Sequence, residues 1–151
     1  GKILAENMLN GLIEIAPEHE VDFRSNYDAL IADIDALDAQ IQETLAGNQN
    51  QSFMVFHPAW GYFAKQYGLQ QIAVQVGGQD PSASELAELV DIARERGITV
   101  IFVQPSFNSA SAEALAQEIG GAVAIADPLA EAWLDNLNAI ANALAESFGQ
   151  Q

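Results

Sequence analysis

From Ser52 onward, short apolar runs rich in Val, Ile and Phe alternate with helical patterns, and no other feature constrains the fold as strongly. The runs are Phe53 to Phe56, Ile72 to Val76, Thr99 to Val103 and Ala122 to Ile125. Their apolar residues are consecutive rather than alternating, which marks strands buried on both faces. Between them, Ser82 and Glu85 make a capping box that opens a helix closing at Gly97. A second helix spans Ser109 to Ile119 and closes at Gly120, and a last one runs from about Pro128 to Phe148. Strands that alternate with helices pair in parallel through crossovers that lay helices on both faces. The expected class is therefore α/β, a four-stranded parallel sheet flanked by helices.

Two helices precede that sheet. Residues 2–15 place Ile3, Leu4, Met8, Leu12 and Ile15 at spacings of three and four, and Pro17 ends the pattern. A second stripe runs from Glu18 to Ala46 through Phe23, Tyr27, Leu30, Ile34, Leu37, Ile41 and Leu45, with Gly47 as its stop. At the rise of an α-helix it would be about 40 Å long, more than a small core needs. The expected division is 1–47, two connecting helices, and 52–151, an α/β lobe, with the linker Asn48-Gln49-Asn50-Gln51 between them. A helical pattern that begins directly after Gly1 is expected where a longer protein has been cut.

Composition removes several classes of function. The five basic residues, Lys2, Arg24, Lys65, Arg94 and Arg96, are scattered among 21 acidic ones, so no stripe exists to track phosphates and nucleic acid is not an expected partner. The net charge of −16 attracts cations in general and also keeps a surface solvated. The absence of cysteine rules out disulfides, thiolate metal sites and cysteine nucleophiles. No apolar stretch reaches the roughly 18 residues of a membrane span.

In an open parallel sheet, ligands bind beyond the carboxyl ends of the strands. That rule selects His57-Pro58 after the first strand, Gln104-Pro105 after the third and Asp127-Pro128 after the fourth. An imidazole and a carboxylate delivered to one edge are donor types that suit zinc, or manganese where oxygen donors outnumber nitrogen. Structural readings stand beside this one. Asp127 is also a good helix N-cap with Pro128 in the first helical position, and His57 can equally start a helix. Trp60, Tyr62 and Phe63 read as packing for the helix that follows, His19 as a surface residue, and Gly77-Gly78 as a turn. No Ser-His-Asp constellation or poised carboxylate pair is found, so no catalytic mechanism is expected.

Taken in order, the local words resemble one family. The run Val55-Phe56-His57-Pro58-Ala59-Trp60-Gly61-Tyr62-Phe63-Ala64, followed by Tyr67-Gly68-Leu69, is similar to the third-histidine motif of the ZnuA-like metal receptors of ABC importers. Asp80-Pro81-Ser82 with Glu85-Leu86, Ile101-Phe102-Val103-Gln104-Pro105 and Ile125-Ala126-Asp127-Pro128-Leu129-Ala130 resemble later segments of the same family. The ordered match covers most of residues 2–148.

The resemblance implies a receptor of two α/β lobes joined by one long helix, holding one metal ion between the lobes. The family's C-terminal lobe supplies a histidine or glutamate and an aspartate, which fall on His57 and Asp127 in this sequence. Glu18 to Ala46 then corresponds to the spine helix. The implied function is extracytoplasmic or periplasmic capture of zinc for an ABC permease, without enzymatic activity. Imidazole at position 57 favours zinc over manganese. The family's N-terminal lobe and its two histidines have no counterpart in the chain, so His57 and Asp127 alone are expected to hold metal weakly. The competing expectation is a self-associating lobe without a high-affinity ligand. Because the N-terminal helices would lose a partner with the missing lobe, a homodimer formed through them is expected.

Overall fold

The computed structural model describes residues 1–105 and 110–149. Contacts divide the chain into two compact units, Gly1–Glu43 and Thr44–Gln151.

The first unit is helical. Helix α1 spans Lys2–Ile15, and a 3-10 turn over Pro17–His19 leads into α2, Glu20–Thr44. Lys2 pairs with Asp35 across the two helices, and Arg24 binds Glu20 one turn away at 2.7 Å. Along α2 the expected stripe is present, and its burial deepens toward the C-terminus until Leu37 and Ile41 are closed to solvent.

On α1 the stripe read from the sequence stands in solvent, as expected of a face left without a partner. Ile3, Leu4, Met8 and Ile15 are 60% exposed or more, Leu12 is 40% exposed, and the buried line is Ala5 and Leu9. Ala5 and Leu9, four residues apart and so on one side of the helix, form the narrow line along which α1 is buried.

The second unit carries the sheet. Its elements are β1 (Ser52–Val55), α3 (Gly61–Tyr67), β2 (Gln70–Ala73), α4 (Ala83–Glu95), β3 (Val100–Val103), α5 (Ala110–Ile119), β4 (Ala122–Ile125) and α6 (Trp133–Phe148). All pairings are parallel, in the order β2-β1-β3-β4. Val55 pairs with Phe102 and Phe102 with Ala124, which fixes the level of every strand end.

The continuous apolar runs are explained by cover on both sides of the sheet. Met54, Phe56, Val74, Ile101 and Val103 pack with Leu89, Val90 and Ala93 of α4 and Ala112, Leu115 and Ala116 of α5. Phe53, Val55 and Phe102 instead meet Trp60, Phe63 of α3, and Ile140 and Leu144 of α6. Trp60 stacks edge-on against Phe63 with ring centres 5.9 Å apart, as packing residues should. Tyr62 departs from the expectation, because the start of α3 turns it outward and leaves it 93% exposed.

Boundaries moved where backbone pairing overrides the apolar pattern. The second strand starts at Gln70 rather than Ile72 because the Gln70 N–H donates to the Gln51 carbonyl at 2.9 Å, opening the ladder early. Its far end yields to a turn through Gly77-Gly78, with Val76 bridged to Gln79. The capping box at Ser82 forms as read, with the hydroxyl and backbone N–H of Ser82 bonded to the Glu85 carboxylate. The expected start of α5 at Ser109 lies outside the described residues.

Candidate metal centre

Strand order sets the stage. From β1 the chain passes to β2 on one side, then crosses back to β3 on the other and continues to β4. The direction of winding therefore reverses between β1 and β3, and it is beyond the carboxyl ends at such a reversal that a crevice opens. His57 follows β1 directly, Gln104 follows β3, and Asp127 follows β4. By the register, His57 is level with Gln104 and Ala126, and Asp127 is one residue further out. Two strand spacings, about 10 Å, separate the backbones of the first and fourth strands. Both residues lie past the last paired residue of their strands, so local bonds rather than the pleat aim their side chains.

The ladder carries the chain up to His57 and then releases it. Phe56 N–H donates to the Phe102 carbonyl at 2.8 Å, and Ala59 N–H turns back to the carbonyl of His57 at 2.8 Å. Trp60 N–H donates to Oε1 of Gln71 at 2.8 Å, which fixes the entry to α3. The half-buried imidazole of His57 places Nδ1 3.1 Å from Oε1 of Gln75. Gln75 is itself buried, follows β2, and donates from Nε2 to Oδ1 of Asp80 at 2.9 Å. Gln75 did not stand out in the sequence, and Asp80 did so only within the word Asp80-Pro81-Ser82, with no role at the site. A glutamine inside the apolar run Ile72 to Val76 was the available signal, since a buried amide requires partners.

Asp127 is arranged differently from the helix cap that its sequence context allows. Helix α6 starts at Trp133 with Ala132 at its N-cap, five residues after the expected start at Pro128. The Asp127 carboxylate instead accepts the Leu129 N–H through Oδ1 at 2.9 Å, a turn closed on its own backbone. Asn136, in the first turns of α6, donates from Nδ2 to the Asp127 carbonyl at 2.7 Å and holds the turn in place. Pro58 likewise does not start a helix, because α3 begins at Gly61.

Chemically, the edge offers one imidazole and one carboxylate, both partly solvent-accessible. Among the described residues, no group of three His, Cys, Asp or Glu side chains comes together. A zinc site normally takes three or four protein ligands, more than these two residues supply. His19, expected at the surface, is exposed, with its ring 6.0 Å from that of Phe23. Among the described residues, no helix is long and apolar enough to cross a membrane.

Comparison with known proteins gives a consistent picture. Residues 1–147 match the family model described as "ZnuA: Zinc-uptake complex component A periplasmic". The chain is 31% identical to the zinc-binding protein AdcA of Streptococcus pyogenes over 128 residues, which is 83% of this chain and 25% of that protein. It is 30% identical to the high-affinity zinc uptake system protein ZnuA of Bacillus subtilis over 126 residues, 82% of this chain and 40% of that protein. A crystal structure of ZnuA superposes with a TM-score of 0.94 at 38% identity, covering 97% of this chain and 57% of the other. A zinc-bound deletion mutant of ZnuA superposes with a TM-score of 0.90, also at 38% identity, covering 97% of this chain and 56% of the other. The chain thus spans little more than half of these structures and less than half of these two curated relatives.

Proposed function

The chain belongs to the family of ZnuA, the periplasmic component A of zinc-uptake complexes, and from that premise we propose that it is the sheet-bearing half of an extracytoplasmic zinc receptor serving an ABC importer. It binds and hands over an ion; it is not a catalyst. The observation that carries this reading is the delivery of His57 and Asp127 to the carboxyl edge of one parallel sheet, on either side of β3. That edge is where this topology admits ligands.

In this reading, α2 is the helix that joins the two halves of the receptor, and His57 and Asp127 are the metal ligands supplied by this half. The imidazole makes zinc the preferred cargo, with manganese the weaker competitor. A two-ligand site is incomplete, so the remaining donors come from outside these 151 residues and the chain by itself binds zinc weakly. Zinc titration of metal-stripped protein tests this, with His57→Ala and Asp127→Ala alongside. Each variant should bind more weakly than the parent, and two variants that bind like the parent would remove the site.

A second reading is favoured by α1, whose Ile3, Leu4, Met8 and Ile15 stand in solvent. A face of that kind tends to find another surface. On this reading the chain forms a homodimer through its N-terminal helices.

A further inference from the structure

We propose that Gln75 is a positioning residue that decides which ring nitrogen of His57 meets the metal, an inference that rests on His57 being a ligand. The argument starts at Asp80, whose carboxylate accepts hydrogen bonds and has none to donate. Its Oδ1 lies 2.9 Å from Nε2 of Gln75, so the donor end of the Gln75 amide is the end that faces Asp80. The amide oxygen is then the atom that faces His57, 3.1 Å from Nδ1. An amide oxygen accepts only, so Nδ1 carries the proton and the ring's lone pair falls on Nε2. Three side chains thereby remove an ambiguity that neither a histidine nor a glutamine resolves alone.

The backbone keeps this chain of bonds in place. Gln75 is only 6% exposed, and its own N–H donates to the Phe56 carbonyl at 2.9 Å, one residue before the histidine. The amide and the imidazole therefore follow neighbouring strands whose continuations are tied together at that level. A metal-bound histidine gains from a partner that fixes its tautomer and ring orientation. The partner here is a neutral amide rather than a carboxylate, which orients the ring without placing a full negative charge against it. That balance suits a protein that must release its ion as well as hold it.

Nitrogen-15 NMR of the metal-free chain above the titration range of histidine reads the tautomer directly, with His57 distinguished from His19 by its loss in His57→Ala. A protonated Nδ1 is expected in the parent. Gln75→Leu should shift the ring toward the opposite tautomer and lower zinc affinity about 10- to 100-fold. Asp80→Asn changes an exposed position, frees the amide to turn over, and should shift the tautomer in the same direction if Gln75→Leu does not fold. Combining Gln75→Glu with Asp80→Asn reverses the roles, because the new carboxylate accepts from both neighbours, and should restore the protonated Nδ1 and the affinity. A parent with its lone pair on Nδ1, or a tautomer unmoved by both single changes, would overturn the proposal. So would a zinc affinity that falls in His57→Ala but not in Gln75→Leu. If His57→Ala leaves zinc affinity unchanged, the ligand reading falls and takes the metal role of Gln75 with it. That result is told apart from a failure of positioning because the tautomer is read without metal.

Discussion

A β-carbon placed on Gly121 would stand 2.1 Å from the carbonyl oxygen of Thr99, so the strand that begins after Gly121 is seated against backbone, with no side chain able to move aside. The same carbonyl accepts the N–H of Ala122 at 2.8 Å, the bond that starts the pairing of β3 with β4. Gly121→Ala must therefore push the two strands apart where their ladder opens, at a cost of about 3 kcal/mol or more. Gly120→Ala meets no atom within 4 Å and bears only the strain of φ +70, about 1–2 kcal/mol. Urea unfolding of the two variants should rank them in that order, and equal midpoints would contradict the close approach.

Acid should weaken the start of α4. The Ser82 hydroxyl, and then its backbone N–H, hold the Glu85 carboxyl below its ordinary value of 4.5. A folded-state value below the unfolded one gives stability that is present above pH 4.5 and fades as pH falls through the lowered value. The stability difference between the parent and Glu85→Gln should thus be largest near neutrality and shrink in acid. A difference that grows on acidification would reverse the sign and refute the assignment. Removing the cap itself by Ser82→Ala should cost about 1 kcal/mol at neutral pH.

His57→Ala should leave the fold intact. The side chain is half-buried at a strand end and outside the sheet core, so its loss opens little cavity. The expected penalty is about 1 kcal/mol, from the hydrogen bond withdrawn from the Gln75 amide. A fall in melting temperature of ten degrees or more in metal-free protein would identify His57 as a structural residue instead.

Light scattering at micromolar concentration tests the association of α1 faces. A dimer should persist in high salt, where repulsion between two chains of charge −16 is screened. Met8→Glu places a charge at a position already 60% exposed and should shift the protein to monomer without loss of helix content. A parent that is monomeric in high salt would show that this face does not join two copies.

The sheet was legible because burial on both sides leaves an unmistakable trace: Ala122 to Ile125 is a strand end to end as read, and the ends of the other three runs shift by no more than three residues. Helix α1 shows the converse. Its limits were clear from periodicity, but periodicity does not say which of several apolar lines is buried, and the small Ala5 on the buried line adds little hydrophobic signal. At the candidate site, strand ends selected His57 and Asp127 directly. Gln75, Asp80 and Asn136 were hidden because hydrogen bonds between residues 5, 9 and 18 positions apart leave no periodic mark.

The placement of His57 and Asp127 beyond the ladder also bears on how such a protein can diverge. Core positions such as Met54 and Ile101, with no exposed surface, are tied to one another's volume, and any change there requires a compensating one. A residue just past the last strand pair answers instead to a few hydrogen bonds, such as the one between His57 and Gln75. Its chemistry can change together with those partners while the architecture beneath is inherited unaltered, so what the edge offers can diverge faster than the fold that carries it.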